Sequence, residues 1–283
     1  MPELPEVETV RRMLDAHVLG RVVKDVGLSG KALRTPMGRA SARRMVGRRL
    51  ASTGRHGKYL FVHFERGLTL ISHLGMSGRW LFSATPPTET LPHIHATLSF
   101  TDGAVLRFQD PRRFGFLRVV ATSRLGREPE IARLGPDPIA ARPDPGDLHE
   151  RARGRRSAVK SFLLDQAQIA GIGNIYASEI LHRTGIHPAR PAGRVGEAEW
   201  GEIARVTRQV LEEAIARMGT TFSTYRTLWN EPGQYGGQLR VYDRGGAPCR
   251  TCGTPIRRSV IGQRATYFCP SCQPVRASGS RKK

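Results

Sequence analysis

Four cysteines near the end of the chain have the spacing of a metal site. Cys249 and Cys252 form one Cys-x2-Cys pair, Cys269 and Cys272 form a second, and sixteen residues separate the pairs. Each short loop turns two thiolates to one side, and the intervening hairpin brings the pairs together. Four thiolates close a tetrahedral site and leave no position for a catalytic water. We therefore predict one structural Zn²⁺ ion; two disulfides or a redox pair are the alternatives.

A zinc-bound hairpin at this position would present positive charge. A module of roughly 35 residues is too small to build its own core, so the metal would hold the hairpin rigid. Arg257, Arg258 and Arg264 lie between the cysteine pairs, and guanidinium groups on a rigid hairpin suit phosphates. Zinc ribbons serve many partners, so this motif indicates a metal more strongly than it indicates a function.

The first eight residues could supply a nucleophile with an acid beside it. The small residue Pro2 permits removal of Met1, which would expose a secondary amine with a pKa of about 8. Attack of this amine on a sugar C1′ would form an iminium ion that stays cationic and acts as an electron sink. A neighbouring carboxylic acid in this segment could protonate the ring oxygen as a general acid. Glu8, in contrast, is interpreted as an acid that favours a helix N-terminus through the helix dipole.

The chain as a whole is strongly basic. Its 283 residues include 45 Lys plus Arg against 24 Asp plus Glu, a net charge of +21, which favours a polyanionic partner. No run approaches the roughly 18 apolar residues of a membrane span, and the acidic start is unlike a signal peptide. Few of the basic residues are lysines, so Lys58 and Lys160 stand out, because Lys can lose its proton at an attainable pH and Arg cannot.

These residues must be positioned by a β-rich part that is followed by a helical part. Alternating apolar residues predict strands around 60–64 and 98–100, and 68–74 and 116–120 resemble further strands. We interpret these strands as two packed sheets. Three-to-four spacing predicts helices over 6–19, 157–166, 174–184 and 197–218. A proline-rich linker over 135–146 separates the two parts, and a long polar, aperiodic loop follows the last helix over 219–237.

Several blocks of sequence occur in a recognisable order. Besides the start MPELPEVETV and the four cysteines, they are HGKYL at 56–60, HLGMSG at 73–78, DPRRFG at 110–115, GIGNIYASE at 171–179 and QRATYFC at 263–269. Together they resemble the bacterial formamidopyrimidine-DNA glycosylase family, whose members are also called 8-oxoguanine DNA glycosylases. One block alone would be a modest indication, but ordered blocks that include both ends of the chain are highly specific.

The resemblance implies a bifunctional enzyme. It would excise oxidised purines, chiefly 8-oxoguanine and ring-opened formamidopyrimidines, from double-stranded DNA and then nick the abasic site by β- and δ-elimination. Carried over by position, Pro2 would be the Schiff-base nucleophile and Glu3 the general acid. Lys58 would be the proton donor for β-elimination, and Arg264 the proton donor for δ-elimination.

The resemblance also implies a set of DNA-binding residues. Those that would bind DNA or hold phosphates around the abasic site are His93, Arg112, Arg155, Lys160 and Asn174. The family more often has Lys at position 155, so the phosphate contact is kept there with an altered donor geometry. Met76, with Arg112 and Phe114, resembles the wedge that fills the gap left by a flipped base.

We therefore predict an α+β multidomain protein. It would have an N-terminal β-sandwich with an N-terminal helix, a helical domain of the helix–two-turn–helix type, and a C-terminal four-cysteine zinc-finger hairpin. The predicted segments are a catalytic domain 1–134, a linker 135–147, a helix–two-turn–helix domain 148–238 with a lesion loop 219–237, a zinc finger 239–275 and a basic tail 276–283.

We expect a monomer in the bacterial cytoplasm that associates with the nucleoid through DNA, with no membrane partner and no small-molecule cofactor. One alternative is an endonuclease VIII-like glycosylase for oxidised pyrimidines, but Leu4 and the lesion loop favour the purine-directed enzyme. The other alternative is a non-catalytic zinc-ribbon DNA-binding protein, which would leave Pro2, Glu3 and Lys58 without a purpose.

Overall fold

The computed structural model describes residues 1–141, 143–221 and 225–275. The chain divides into two compact units. The N-terminal unit comprises residues 1–133 and 214–236, and the C-terminal unit comprises residues 134–213 and 237–283. The predicted basic tail, residues 276–283, and three residues of the predicted lesion loop, 222–224, lie outside the described residues.

Two antiparallel sheets form the frame of the N-terminal unit, as far as its residues are described. Its strands are β1 (Val23–Leu28), β2 (Leu50–His56), β3 (Tyr59–Phe64), β4 (Leu68–His73), β5 (Arg79–Ser83), β6 (Ile94–Phe100), β7 (Val105–Gln109) and β8 (Phe116–Ala121). One sheet has the order β1-β6-β7-β5 and the other the order β2-β3-β4-β8. Their inward residues share one hydrophobic cluster, so the prediction of two packed sheets is confirmed.

Helix α1 (Leu4–His17) packs into the same core as both sheets. Its buried Val10 belongs to one cluster with Leu60 of β3 and Leu98 of β6, at the spacing that predicted the helix. The helix begins two residues earlier than predicted because Pro5 fits the first turn, where its missing N–H is not needed. Two short helices, α2 (Arg39–Arg43) and α3 (Pro129–Ala132), complete the described helices of residues 1–133.

The predicted polar loop over 219–237 contributes apolar residues to this core. Tyr225 and Leu228 are buried in the same cluster, and Tyr235 is fully buried at the start of a 3₁₀ turn. The described residues of this segment are therefore not simply polar, as the sequence suggested. The buried residues are spaced too irregularly for periodicity to reveal them.

Helices form most of the regular secondary structure of the C-terminal unit. They are α4 (Pro145–Ala152), α5 (Val159–Leu164), α6 (Asn174–Arg183) and α7 (Glu197–Ala216), followed by the hairpin strands β9 (Arg257–Ile261) and β10 (Arg264–Phe268). Helix α5 is shorter than predicted because Ala158 pairs with Pro191 in an isolated β-bridge and the chain leaves the helix at Asp165. Among the described helices, none is long and apolar enough to cross a membrane.

Candidate functional site

The predicted nucleophile and acid lie at the buried start of α1. Pro2 is buried, and Glu3, the N-cap residue of the helix, is only 2% exposed. The Glu6 carboxylate accepts the backbone N–H of Glu3 at 2.7 Å through Oε2 and the backbone N–H of Thr220 at 2.8 Å through Oε1. One buried carboxylate therefore fixes the start of the chain to the segment that follows α7.

Lys58 lies in the tight turn between β2 and β3. Gly57, with φ +56°, begins the turn, and Lys58 is only 7% exposed. His73, the last residue of β4, pairs with Tyr59 directly after the turn. Burial and the positive charges of Lys58 and Arg34 lower the pKa of His73 to about 3. The imidazole of His73 is therefore neutral at physiological pH, and Lys58 supplies positive charge beside it.

Glu8 has a different role from the one predicted. Its carboxylate accepts hydrogen bonds from Arg11 Nη2 at 2.8 Å, Arg12 Nε at 2.9 Å and Arg55 Nε at 3.0 Å. Burial alone would raise the pKa of Glu8, but the three guanidinium groups outweigh it and lower that pKa to about 2. The interpretation as a helix-dipole acid is wrong because Glu8 lies beyond the first turn of α1, and its carboxylate is held by arginines instead.

The three residues of the predicted wedge lie together in the N-terminal unit. Met76, Arg112 and Phe114 are all exposed at its surface, and the Arg112 guanidinium lies 4.7 Å from the centre of the Phe114 ring. A Cβ atom on Gly75 would come within 2.5 Å of the Phe114 backbone. The two segments therefore approach so closely that residue 75 must be glycine. Together they expose two apolar side chains, Met76 and Phe114, beside the Arg112 guanidinium.

Asp110 holds these segments in place. Its buried carboxylate accepts the Ser77 hydroxyl at 2.5 Å through Oδ1 and the Gly115 N–H at 2.6 Å through Oδ2. Its backbone N–H donates to the carbonyl of His93 at 3.0 Å, and His93 itself is exposed with a positive φ of 64°. Asp110 thus links the Met76 turn, the Arg112 loop and the predicted DNA-binding His93.

Two predicted phosphate ligands of the C-terminal unit contact the zinc hairpin. Lys160 is fully buried, and its Nζ donates to the Ala265 carbonyl at 2.9 Å and to Thr266 Oγ1 at 2.8 Å. Asn174, the first residue of α6, donates from Nδ2 to the same carbonyl at 2.9 Å. Both side chains therefore fix the residue next to Arg264, whose own side chain is exposed at the hairpin turn.

Arg155 lies on the exposed surface after α4. Its Nε donates to the Arg151 carbonyl at 2.7 Å, and its guanidinium lies 5.5 Å from the centre of the Phe162 ring. The stacked, outward guanidinium keeps donors available for an anion.

The four cysteines converge as their spacing predicts. One ligand atom from each of Cys249, Cys252, Cys269 and Cys272 lies within 4.8 Å of the others. Four thiolates at this separation suit a tetrahedral Zn²⁺ ion in a closed, structural site. The surrounding buried cluster is small, with Val241, Ile256 and Tyr267 besides two of the cysteines.

Sequence reasoning missed the buried side chains that hold the predicted ones. Glu6, Arg55 and Asp110 are the clearest of these. Glu6 and Asp110 both lie inside the sequence blocks that carried the resemblance. Their position in these blocks could have indicated that they support the site. Arg55 lies one residue outside its block and offered none, because arginine is abundant throughout the chain.

Three family models match the chain in order along its length. The formamidopyrimidine-DNA glycosylase N-terminal domain matches residues 1–117, the formamidopyrimidine-DNA glycosylase H2TH domain matches 134–226, and a zinc finger found in FPG and IleRS matches 246–275. The chain belongs to the formamidopyrimidine-DNA glycosylase family. As a family member it is a DNA glycosylase, an enzyme of DNA repair, so the non-catalytic zinc-ribbon alternative is excluded.

Relatives and solved structures agree with this assignment. The formamidopyrimidine-DNA glycosylase of Methylococcus capsulatus is 46% identical over 273 residues, which are 96% of this chain and 100% of the relative. A Lactococcus lactis FPG mutant in complex with Fapy-dG-containing DNA has a TM-score of 0.89 at 31% identity, over 97% of this chain and 100% of that one. The FPG protein of Thermus thermophilus has a TM-score of 0.85 at 39% identity, over 96% and 98%.

These similarities confirm the predicted fold class of this formamidopyrimidine-DNA glycosylase family member. The sandwich with its N-terminal helix, the helix–two-turn–helix domain and the zinc-finger hairpin are all present. The zinc-finger match and the converging sulfur atoms together confirm the predicted site for one structural zinc ion.

Proposed function

We propose that this DNA glycosylase excises oxidised purines, 8-oxoguanine and formamidopyrimidines, from double-stranded DNA and then cleaves the abasic site by β,δ-elimination. The observation that carries the proposal is the start of α1, where residue 2 is a buried proline and residue 3 a buried glutamate. A purine-directed activity is further supported by the L. lactis relative bound to Fapy-dG DNA.

The chemistry would begin once Met1 is removed. The secondary amine of Pro2 attacks C1′ of the damaged nucleotide, the glycosidic bond breaks and the base leaves with a proton. Glu3 protonates the ring oxygen as a general acid, so that the sugar opens and leaves a cationic iminium on Pro2. The iminium has no N–H proton to lose, and it therefore draws electrons from the neighbouring C2′–H bond.

Strand cleavage would follow in two eliminations. Loss of the C2′ proton and cleavage of the C3′–O bond release the 3′-phosphate, with Lys58 as the proton donor. Loss of the C4′ proton and cleavage of the C5′–O bond then release the 5′-phosphate, with Arg264 as the proton donor. Both cations also stabilise the negative charge that develops on the leaving phosphates.

DNA binding would be divided between positioning and base extrusion. Phosphates would be held by His93, Arg112, Arg155 and Asn174, in keeping with the net charge of +21. Lys160 was also predicted to hold a phosphate, but it is fully buried with its Nζ on Ala265 and Thr266, so it would act by holding the zinc hairpin in place. Met76 and Phe114 would fill the gap of the flipped base, since their apolar side chains are exposed beside a stacked guanidinium. We propose that the chain is divided into a catalytic domain (1–134), a linker (135–147), a DNA-binding domain (148–238) with the lesion loop (219–237), a zinc finger (239–275) and a basic tail (276–283).

A duplex with 8-oxoguanine opposite cytosine tests the proposal directly. The protein is incubated with the duplex and borohydride, and the cross-linked peptide is mapped by mass spectrometry. We expect an adduct on Pro2 with the damaged duplex and none with an undamaged duplex of the same sequence. A damaged duplex that yields no adduct on Pro2 contradicts the mechanism.

Oxidised pyrimidines are a second candidate substrate. An L. lactis relative has been solved in complex with oxidised-pyrimidine-containing DNA, so the same experiment includes such a duplex. The proposal requires a faster adduct with the oxidised purine; the reverse order would favour the endonuclease VIII-like activity. We further propose that the enzyme acts as a monomer in the bacterial cytoplasm and needs no small-molecule cofactor.

A further inference from the structure

The buried side chain of Arg55 contacts both of the segments that carry the proposed chemistry of the N-terminal unit. This side chain is only 4% exposed. Its Nε donates to Glu8 Oε2 at 3.0 Å, and its Nη1 donates to the backbone carbonyl of Gly57 at 3.1 Å. One guanidinium therefore bridges a helix and a turn that are far apart in sequence.

Each end of this bridge lies on an element that carries a proposed catalytic residue. Glu8 lies on α1, little more than one turn after Glu3, and the helix carries Pro2 at its start. Gly57 immediately precedes Lys58 in the turn between β2 and β3, where His56 pairs with Tyr59. A shift of the Gly57 carbonyl therefore moves the Lys58 backbone directly, because this carbonyl and the Lys58 N–H belong to the same planar peptide unit.

The chemistry of the guanidinium suits this task. Its donors lie in one plane and point in fixed, different directions, so that two acceptors can be held at a set separation. A Lys side chain offers a single ammonium point that can satisfy Glu8 but does not reproduce the planar fork. Glu8 keeps two further partners, Arg11 and Arg12, so the charge on its carboxylate would stay compensated without residue 55.

We propose that Arg55 is a positioning residue for strand cleavage, which holds the Lys58 turn in register with α1, the helix that directly follows Pro2 and Glu3. The inference rests on the proposed function of Pro2 and Lys58. Attack of Pro2 on C1′ does not require Lys58 as the proton donor, whereas β-elimination does. Loss of Arg55 should therefore slow the elimination more than it slows formation of the Schiff base.

The test uses a duplex with a preformed abasic site, so that base excision does not limit the rate. Full-length wild type, Arg55→Lys and Arg55→Met are compared for kcat and KM of strand cleavage and for borohydride trapping of the uncleaved adduct. We expect kcat to fall about 10- to 100-fold, since a misplacement of about 1 Å can have this effect, with KM within about twofold. The trapped, uncleaved adduct should accumulate in both variants.

Arg12→Gln is the matched control. Arg12 is another partner of Glu8, with its Nε at 2.9 Å from Oε1, but its side chain is 58% exposed. We expect this variant to cleave within about twofold of wild type. Thermal unfolding of every variant shows whether it is folded. Glu8→Gln is a second, milder change to the contact with Arg55, because glutamine retains an oxygen acceptor. We expect the trapped adduct to accumulate less in this variant than in the Arg55 variants.

The outcomes distinguish a failure of the proposed function from a failure of the positioning role of Arg55. If wild type forms no trapped adduct on Pro2, the proposed function fails. If wild type reacts but folded Arg55 variants cleave like Arg12→Gln, or lose trapping and cleavage in equal proportion, the positioning role of Arg55 is overturned. Should neither Arg55 variant fold, an adduct-to-product ratio in Glu8→Gln equal to that of wild type overturns it as well.

Discussion

Three glutamates lie within the first eight residues, and the structure gives each a different environment. Glu3 is at the start of α1, where a general acid is proposed. Glu6 accepts two backbone N–H groups from segments far apart in sequence. Glu8 is surrounded by arginines. Residue type alone does not distinguish these tasks, because all three are the same acid in one short segment.

The low pKa of Glu8 predicts a stability that depends on pH. Folding lowers this pKa from 4.5 to about 2, a fall that corresponds to about 3 kcal/mol. Because the folded pKa is the lower one, the contribution is fully present above about pH 4.5 and is lost as the pH falls towards 2. Urea unfolding of wild type and Glu8→Gln should therefore differ most near pH 6 and least near pH 2.

Glu65→Gln is the control for this comparison. Glu65 lies in the same unit and pairs with Arg49 at 3.5 Å, but both side chains are 52% exposed. Exposed pairs contribute about 0–1 kcal/mol, so this variant should follow wild type at every pH. A free-energy difference between wild type and Glu8→Gln that stays constant from pH 6 to pH 2 would contradict the assignment.

At the scale of elements, the end of α7 is coupled to the start of α1 through Gly219. The chain leaves the helix through Met218 and Gly219, both in the left-handed region with φ of +58° and +76°. The Gly219 N–H donates to the Ala214 carbonyl at 2.8 Å, as in a glycine C-cap. The same turn presents the Thr220 N–H to Glu6, so the helix ending decides where the buried start of the chain is fixed.

Replacement of this glycine should disturb both features. In Gly219→Ala the new Cβ atom would lie 2.7 Å from Glu6 Oε1, in a backbone conformation that alanine rarely adopts. We expect a loss of about 1–3 kcal/mol in the free energy of unfolding and slower base excision. Urea titration and single-turnover excision of 8-oxoguanine measure the two effects.

Gly236→Ala serves as the comparison for that substitution. Gly236 belongs to the same unit, and a Cβ atom there would meet nothing within 4 Å. This variant should retain the stability and the excision rate of wild type. Equal effects of the two substitutions would mean that the contact with Glu6 is not the cause.

At the scale of the whole molecule, charge and metal have separate tasks. The net charge of +21 supplies an attraction to phosphates that single substitutions hardly change. The zinc finger instead holds a few positions rigid, since its described cluster of buried residues is small and includes two of the metal ligands. Generic affinity is therefore spread over the chain, while Arg264 depends on the metal for its placement.

Removal of zinc should accordingly weaken DNA binding. We expect about one zinc ion per chain by elemental mass spectrometry, and a loss of about tenfold or more in affinity for an abasic duplex after chelation. Fluorescence anisotropy measures the affinity, and addition of Zn²⁺ to the chelated protein should restore it. Unchanged binding by the zinc-free protein would show that the hairpin needs no metal.

Much of the architecture could be predicted from local pattern. The cysteine spacing predicted the zinc site, alternation predicted strands such as β3 and β6, and three-to-four spacing predicted α1 and α7. The buried apolar residues of 219–237 could not be predicted in this way, since they have no periodicity and pack against residues distant in sequence.

The sequence by itself determined the family, the metal and the candidate reactive residues, because these depend on residue types at short, fixed spacings. Only the tertiary structure decided what holds those residues. Glu6 meets Thr220 across more than two hundred positions, and Arg55 joins Glu8 of α1 to the turn at Gly57. Such contacts follow from how helices and sheets pack. Buried charges must be paired, but the partner can be identified only in the folded chain, because it is distant in sequence.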